Sequence, residues 1–170
     1  MIIWLIGMSG SGKTTIAREL YARLKPTLPH LVYLDGDDFR EMFRNDVDHT
    51  VEGRRKNAER ISHTCRMLDR QGIHVIAAVL SIFPEWQQWN RDTFSDYFEV
   101  YLDVPLETLE ARDVKGLYAS ARAGRIPDVV GIDIPFLAPP RPDLVIDAAR
   151  QAEGVEPCVA RILARLPELT

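Results

Sequence analysis

Four stretches of this chain carry residue types and spacings suited to handling phosphate. Residues 7 to 14 read Gly7-Met8-Ser9-Gly10-Ser11-Gly12-Lys13-Thr14, and Thr15 follows. Gly7, Gly10 and Gly12, with Ser9 and Ser11 between them, let backbone N–H groups curl around phosphate oxygens. Lys13 supplies charge for the β- and γ-phosphates, and the Thr14 hydroxyl is placed to ligate magnesium at the start of a helix whose dipole favours anions. A plain Gly/Ser turn between two core elements leaves the Lys and Thr after the last glycine unexplained. The pattern is that of a loop binding a nucleoside triphosphate.

A second stretch, Leu34-Asp35-Gly36-Asp37-Asp38-Phe39-Arg40, gathers three carboxylates. Such a cluster suits a metal-water or general-base role. Asp37 is also well placed to cap a following helix, and the two roles can coexist. From Arg40 to Arg70 there are eight Lys or Arg against six Asp or Glu, a local +2 in a chain of net charge −4. Arg40, Arg44, Arg54, Arg55 and Arg60 are planar forks that can hold phosphate or sulfate oxygens of a second, anionic substrate. About half of them are expected to be ordinary surface residues on a solvated helix face. The fourth stretch follows Asp103: Arg112, Lys115, Gly116, Arg122, Gly124, Arg125 and Gly131 alternate positive charge with hinges. A segment of this kind, about 114 to 135, suits a lid closing over a transferred phosphate.

The elements that must hold these groups follow from periodicity. Apolar runs predict strands at 2–6, 31–35, 73–79, 97–103 and 143–147, alternating with helices at 13–24, 37–45, 54–71, 84–94, 105–112 and 154–165. Ile16, Leu20 and Leu24 give the first helix its apolar stripe, and Cys65 shares a face with Ile61 and Leu68, which predicts core packing for it. Alternation of this type predicts an α/β fold, a doubly wound, five-stranded parallel sheet, and the motif at 7–14 makes the expected class that of the P-loop nucleoside triphosphate hydrolases and kinases, with the lid. No repeat or linker divides the chain, so residues 1–170 are read as one domain, and the proline-rich piece from Pro135 to Pro142 as a surface connection.

With 46% hydrophobic and 27% charged residues, the composition is that of an ordinary globular domain. Its acidic balance argues against a nucleic-acid or membrane-surface partner. Cys65, Cys158 and the four histidines match no metal or redox spacing. The apolar start lacks a basic flank and runs directly into the phosphate loop, so it reads as a buried strand, and a cytoplasmic location is expected. A nucleotide switch without transfer chemistry is the remoter alternative: Asp69-Arg70-Gln71-Gly72 spells DxxG, but no NKxD accompanies it.

Taken together, the motifs resemble the adenylylsulfate kinase (APS kinase) family over about Ile2 to Asp147. The supporting runs are GMSGSGKTT at 7–15, LDGDDFR at 34–40, RRKNAERI at 54–61, VIAAVLS at 75–81, the run from Phe98 to Gly124, GIDIPF at 131–136 and PDLVID at 142–147. The resemblance implies transfer of the γ-phosphate of ATP, with Mg2+, to the ribose 3′-hydroxyl of adenosine 5′-phosphosulfate. It implies Asp37 as the base for that hydroxyl, with Lys13, Asp35 and Lys115 completing the catalytic set, and Thr14 and Asp35 at the magnesium. Arg112 would lie on the ATP side; Arg40, Arg54, Asn57 and Ser81 would hold the acceptor. The implied partner is a small nucleotide, and a homodimer is the assembly to test.

The chain departs from the family where adenine would be stacked: His49 and Val129 stand where the family has phenylalanines. Stacking on an aromatic contributes on the order of 1–3 kcal/mol per base. Loss of both faces therefore raises an alternative acceptor with a smaller base, cytidine diphosphoramidate of a capsule-modification pathway.

Overall fold

The computed structural model describes residues 1–113 and 115–166. Its centre is β1 (Ile2–Ile6), in which all five residues are buried. A strand this uniformly apolar has to be covered on both faces and paired on both edges. Parallel strands flank it, β3 (His74–Val79) on one side and β4 (Tyr97–Asp103) on the other; β2 (Leu31–Asp35) and β5 (Leu144–Asp147) pair outside these, giving the order β2, β3, β1, β4, β5.

Alternate residues of β1 point to opposite faces. Ile3 and Leu5 pack with Ile16, Leu20 and Leu24 of α1 (Lys13–Leu24), and with Cys158, Val159 and Ile162 of the helix Val155–Leu163. Ile2, Trp4 and Ile6 meet Phe39, Ile61, Cys65 and Phe94 on the other face. Ile6 lies level with Val79 and Tyr101, and Asp35 with Ala78. The chain therefore leaves β1, β2, β3 and β4 at one edge of the sheet, where open α/β sheets bind ligands.

On that edge, α2 (Gly36–Met42) follows β2, α3 (Val51–Asp69) follows α2, α4 (Pro84–Thr93) follows β3, and α5 (Leu106–Arg112) follows β4. The helix expected over 37–45 stops at Met42 because Arg44 and Asn45 take left-handed backbone, φ 57° and 51°. The helix expected from 54 begins at Val51, where the Thr50 side chain accepts from the Gly53 amide at 3.1 Å. Two short helices were not anticipated. They are α6 (Leu117–Arg122) and α7 (Ala148–Ala152), which leaves Val155–Leu163 as α8. Val104, Leu109, Tyr118, Ala121 and Val129 form a third cluster beyond the end of the sheet, so the segment after α5 carries its own small core. Val114, the first residue of the anticipated lid, lies outside the described residues. Cys65 is fully buried, as its face predicts.

Candidate active site

The phosphate loop joins β1 to α1. Gly10 and Gly12 have φ 77° and 91°, which residues with a Cβ rarely adopt. A Cβ on Gly7 would lie 2.6 Å from Ser11 Oγ and 3.1 Å from the Leu102 carbonyl, so any larger residue would have to displace its neighbours. Lys13 curls back to donate from Nζ to the Met8 carbonyl at 2.9 Å. Burial lowers its pKa to about 8, against the attraction of Asp35 and Asp37 and with some repulsion from Lys115. Two acidic residues of the second stretch and a lysine 102 positions downstream of Lys13 therefore share its surroundings.

Asp35, at the end of β2, is almost wholly engaged. Its Oδ2 accepts from Thr14 Oγ1 at 2.7 Å and from the Tyr33 hydroxyl at 2.8 Å, while Oδ1 accepts from the Asp37 amide at 2.9 Å. The cap of α2 is thus Asp35, in place of the Asp37 cap that sequence suggests. Burial works to raise the Asp35 pKa, but those three donors and the Lys13 charge outweigh it and the net shift is downward. Burial first, and then Asp35 itself, raise the Tyr33 pKa, so its hydroxyl is a donor. Because Thr14 gives its proton to Asp35, both of its lone pairs stay available. A hydroxyl and a carboxylate held this way are the hard oxygen donors that magnesium takes.

Asp37 projects into solvent and meets Lys115 Nζ at 3.3 Å, with both side chains about three-quarters exposed. An exposed pair of this kind adds little stability. It does bring the segment after α5 to the edge of the sheet. A second bond does the same from inside: the Tyr118 hydroxyl of α6 donates to the Ser9 carbonyl of the phosphate loop at 2.8 Å. Gly131 is packed so closely that a Cβ there would lie 3.1 Å from Met8 Sδ.

The acceptor candidates cluster on α2, on α3 and in the loop between them. Buried Arg40 donates from Nη1 to the carbonyls of Val47 and Asp48, at 3.2 and 3.0 Å. Arg54 donates from Nε to the His49 carbonyl at 2.7 Å and from Nη2 to the Asp128 carbonyl at 2.8 Å. Burial lowers the His49 pKa, and Arg40 and Arg54 add to the effect while Asp37 and Asp48 oppose it. Asn57, one turn along α3 from Arg54, is 6% exposed, and its Oδ1 finds no hydrogen-bond partner among the described residues. Ser81, two residues beyond β3, has left-handed backbone, φ 52°, and its carbonyl accepts from Gln87 Nε2 at 2.8 Å. Two of the five arginines turn elsewhere: Arg55 pairs with Glu85, and Arg60 with Asp46. Arg112 reaches the phosphate loop through Gln151, whose Oε1 accepts from it at 3.4 Å and lies 3.9 Å from the place of a Cβ on Gly12.

Val129 is a correction. It was expected to form a wall of the acceptor pocket, yet it is 3% exposed and packs with Tyr118, Leu109 and Ala121. Its carbonyl accepts from the amides of Ile132, Asp133 and Ile134, a tight turn that directs the side chain inward. It has almost no surface to give a ligand. Tyr33, Tyr118 and Gln151 were not singled out from sequence; the signal for Tyr33 was its place two residues before Asp35, on the same strand face.

A phosphate loop at the centre of a five-stranded parallel sheet, with its Thr held by a carboxylate from the end of β2, two strands away, defines a P-loop phosphotransferase. Comparison with known proteins narrows this further. Residues 1–147 match the family described as adenylylsulphate kinase, and the chain belongs to that family, whose members are phosphotransferases with an alcohol group as acceptor. The adenylyl-sulfate kinase of Paraburkholderia xenovorans is 42% identical over 97% of this chain and 92% of its own length; that of Halothermothrix orenii is 37% identical over 98% and 89%. The structure of the Mycobacterium tuberculosis APS kinase CysC, in complex with AMPPNP and APS, superposes with a TM-score of 0.87 at 32% identity, covering 98% of this chain and 96% of that one. These relatives are named for adenylyl sulfate, which gives the cytidine diphosphoramidate alternative no support. Among the described residues, no helix is long and apolar enough to cross a membrane.

Proposed function

We propose that this protein transfers the γ-phosphate of ATP to the ribose 3′-hydroxyl of adenosine 5′-phosphosulfate. The observation that carries the reading is the meeting of Lys13, Asp35, Asp37 and Lys115 at one strand edge, with Arg40, Arg54 and His49 beside them. The backbone amides of residues 7–14 cradle the donor phosphates, and Lys13 balances their charge. Asp37 accepts the proton of the attacking hydroxyl, and Arg40, Arg54, Asn57 and Ser81 hold the acceptor. Lys115, on the segment 115–135 acting as a lid, exchanges Asp37 for the phosphoryl group in flight. Thr14 and Asp35 would hold magnesium, which would supply charge neutralisation at the phosphates. Transfer then rests on positioning and charge stabilisation, with no covalent intermediate.

A cytoplasmic location and a homodimer are part of the same proposal, the assembly to be checked by light scattering. The decisive experiment supplies labelled ATP with adenosine 5′-phosphosulfate and follows 3′-phosphate formation. Label should appear in the acceptor, and ATP should be consumed only when acceptor is present. Consumption that ignores the acceptor would overturn the proposal.

A further inference from the structure

We propose that Tyr33 is a positioning residue for the magnesium site, fixing the Asp35 carboxylate so that Thr14 keeps its lone pairs turned to the metal. The proposal rests on the reading of Thr14 and Asp35 as the magnesium-holding pair. Tyr33 and Asp35 are two residues apart on β2 and project from the same face. That spacing alone decides nothing, since Tyr97 donates to Glu99 and Tyr101 to Asp103 in the same manner on β4. Tyr33 differs in what its acceptor oxygen also holds: Asp35 Oδ2 takes both the Tyr33 proton, at 2.8 Å, and the Thr14 proton, at 2.7 Å.

A carboxylate has about four lone-pair sites. Three are filled here, by Thr14, Tyr33 and the Asp37 amide, so the group has one orientation and one free site. Without the phenol, Oδ2 has a single donor and the carboxylate can rotate. Thr14 can then turn its proton elsewhere, including toward the metal position, where it would repel a cation. The ring itself is held by neighbours on α1: the Tyr21 ring is 6.1 Å away and the Arg18 guanidinium sits 5.9 Å over its centre. Partners that orient a metal ligand typically contribute 10- to 100-fold in metal affinity.

The test is binding of a non-hydrolysable ATP analogue to the full chain and to Tyr33→Phe by calorimetry, first in EDTA and then across a magnesium titration. The variant keeps the ring. It should bind the analogue in EDTA as the parent does, and should need about tenfold more magnesium to reach half of the metal-dependent gain in affinity. An unchanged magnesium requirement would overturn the proposal. So would an equal loss with and without magnesium, which would assign Tyr33 to packing alone. Because no transfer is measured, a wrong acceptor assignment would leave this result intact.

Discussion

Replacing Gly53 by alanine sets two effects of opposite sign against each other. Gly53 lies in the first turn of α3, where exchange of glycine for alanine ordinarily gains about 1 kcal/mol of helix propensity. At this position, however, a Cβ would overlap Asp48 Oδ1 and lie 2.5 Å from the Asp48 carbonyl oxygen and 3.0 Å from its carbon. Two of those three atoms are backbone, so relief requires residue 48 to move by about 1 Å to regain ordinary van der Waals contact. That same carbonyl accepts from buried Arg40 at 3.0 Å, and a bond from a charged donor is worth about 1.5–3 kcal/mol. Adding overpacking strain of about 1–3 kcal/mol and subtracting the propensity gain leaves a net cost of about 1.5–5 kcal/mol. For a chain of this size the melting temperature should fall by roughly 3–20 °C. Thermal unfolding reads the first effect. Initial rates read the second: acceptor KM should rise as Arg40 loses its anchor, while affinity for an ATP analogue stays put. The double variant Asp48→Gly/Gly53→Ala should recover part of the loss, because residue 48 is then free to shift. A Gly53→Ala protein as stable as its parent, with acceptor KM unchanged, would refute the reasoning.

Asp37→Asn should lower transfer by about 10²- to 10⁴-fold while nucleotide binding is retained, and full transfer in that variant would remove Asp37 as the base. Lys13, with a pKa of about 8, loses its charge above that pH in the free protein, and bound polyphosphate should restore it. Nucleotide binding at pH 8.5 should therefore take up a proton and weaken by up to about tenfold per pH unit above 8. Calorimetry in two buffers of different ionisation enthalpy checks this. For stability the sign is the reverse: the unfolded lysine still binds its proton between about 8 and 10.5, so this group's contribution grows as pH rises through that window. Tyr118→Phe removes the bond to the Ser9 carbonyl from a side chain 2% exposed; a loss of about 1 kcal/mol, read as a melting temperature lower by about 2–4 °C, is expected.

The parts of this molecule that sequence makes plain are those with a strict local rule. The apolar Ile2–Ile6 could only be a central strand, and the residue types at 7–14 admit one conformation and one class of ligand. Arg40, Arg54, Asn57 and His49 could be grouped because α2 and α3 are sequence neighbours. What sequence hides is settled by long-range return of the chain. Helix α6 is six residues between two glycines, too short to show a period of 3.6. Val129 reads as a pocket wall until the turn at 129–134 packs it against Tyr118. Likewise Arg55 and Arg60 look like anion ligands until Glu85, thirty residues on, and Asp46 claim them.

The central position of β1 bears on how the chain comes to be folded. It is the earliest strand in chain order, yet its two partners, β3 and β4, end only at Val79 and Asp103. At roughly 5–20 residues per second of synthesis, the stretch from Ile6 to Asp103 takes about 5–20 s. Until Val79 has been made neither edge of these five apolar residues can pair, and until Asp103 one edge stays open. Pairing must then close over distances of about 70 and 95 residues, the kind of contact that slows folding most. The strand that anchors donor binding in the finished enzyme is thus the strand that waits longest for its partners during synthesis.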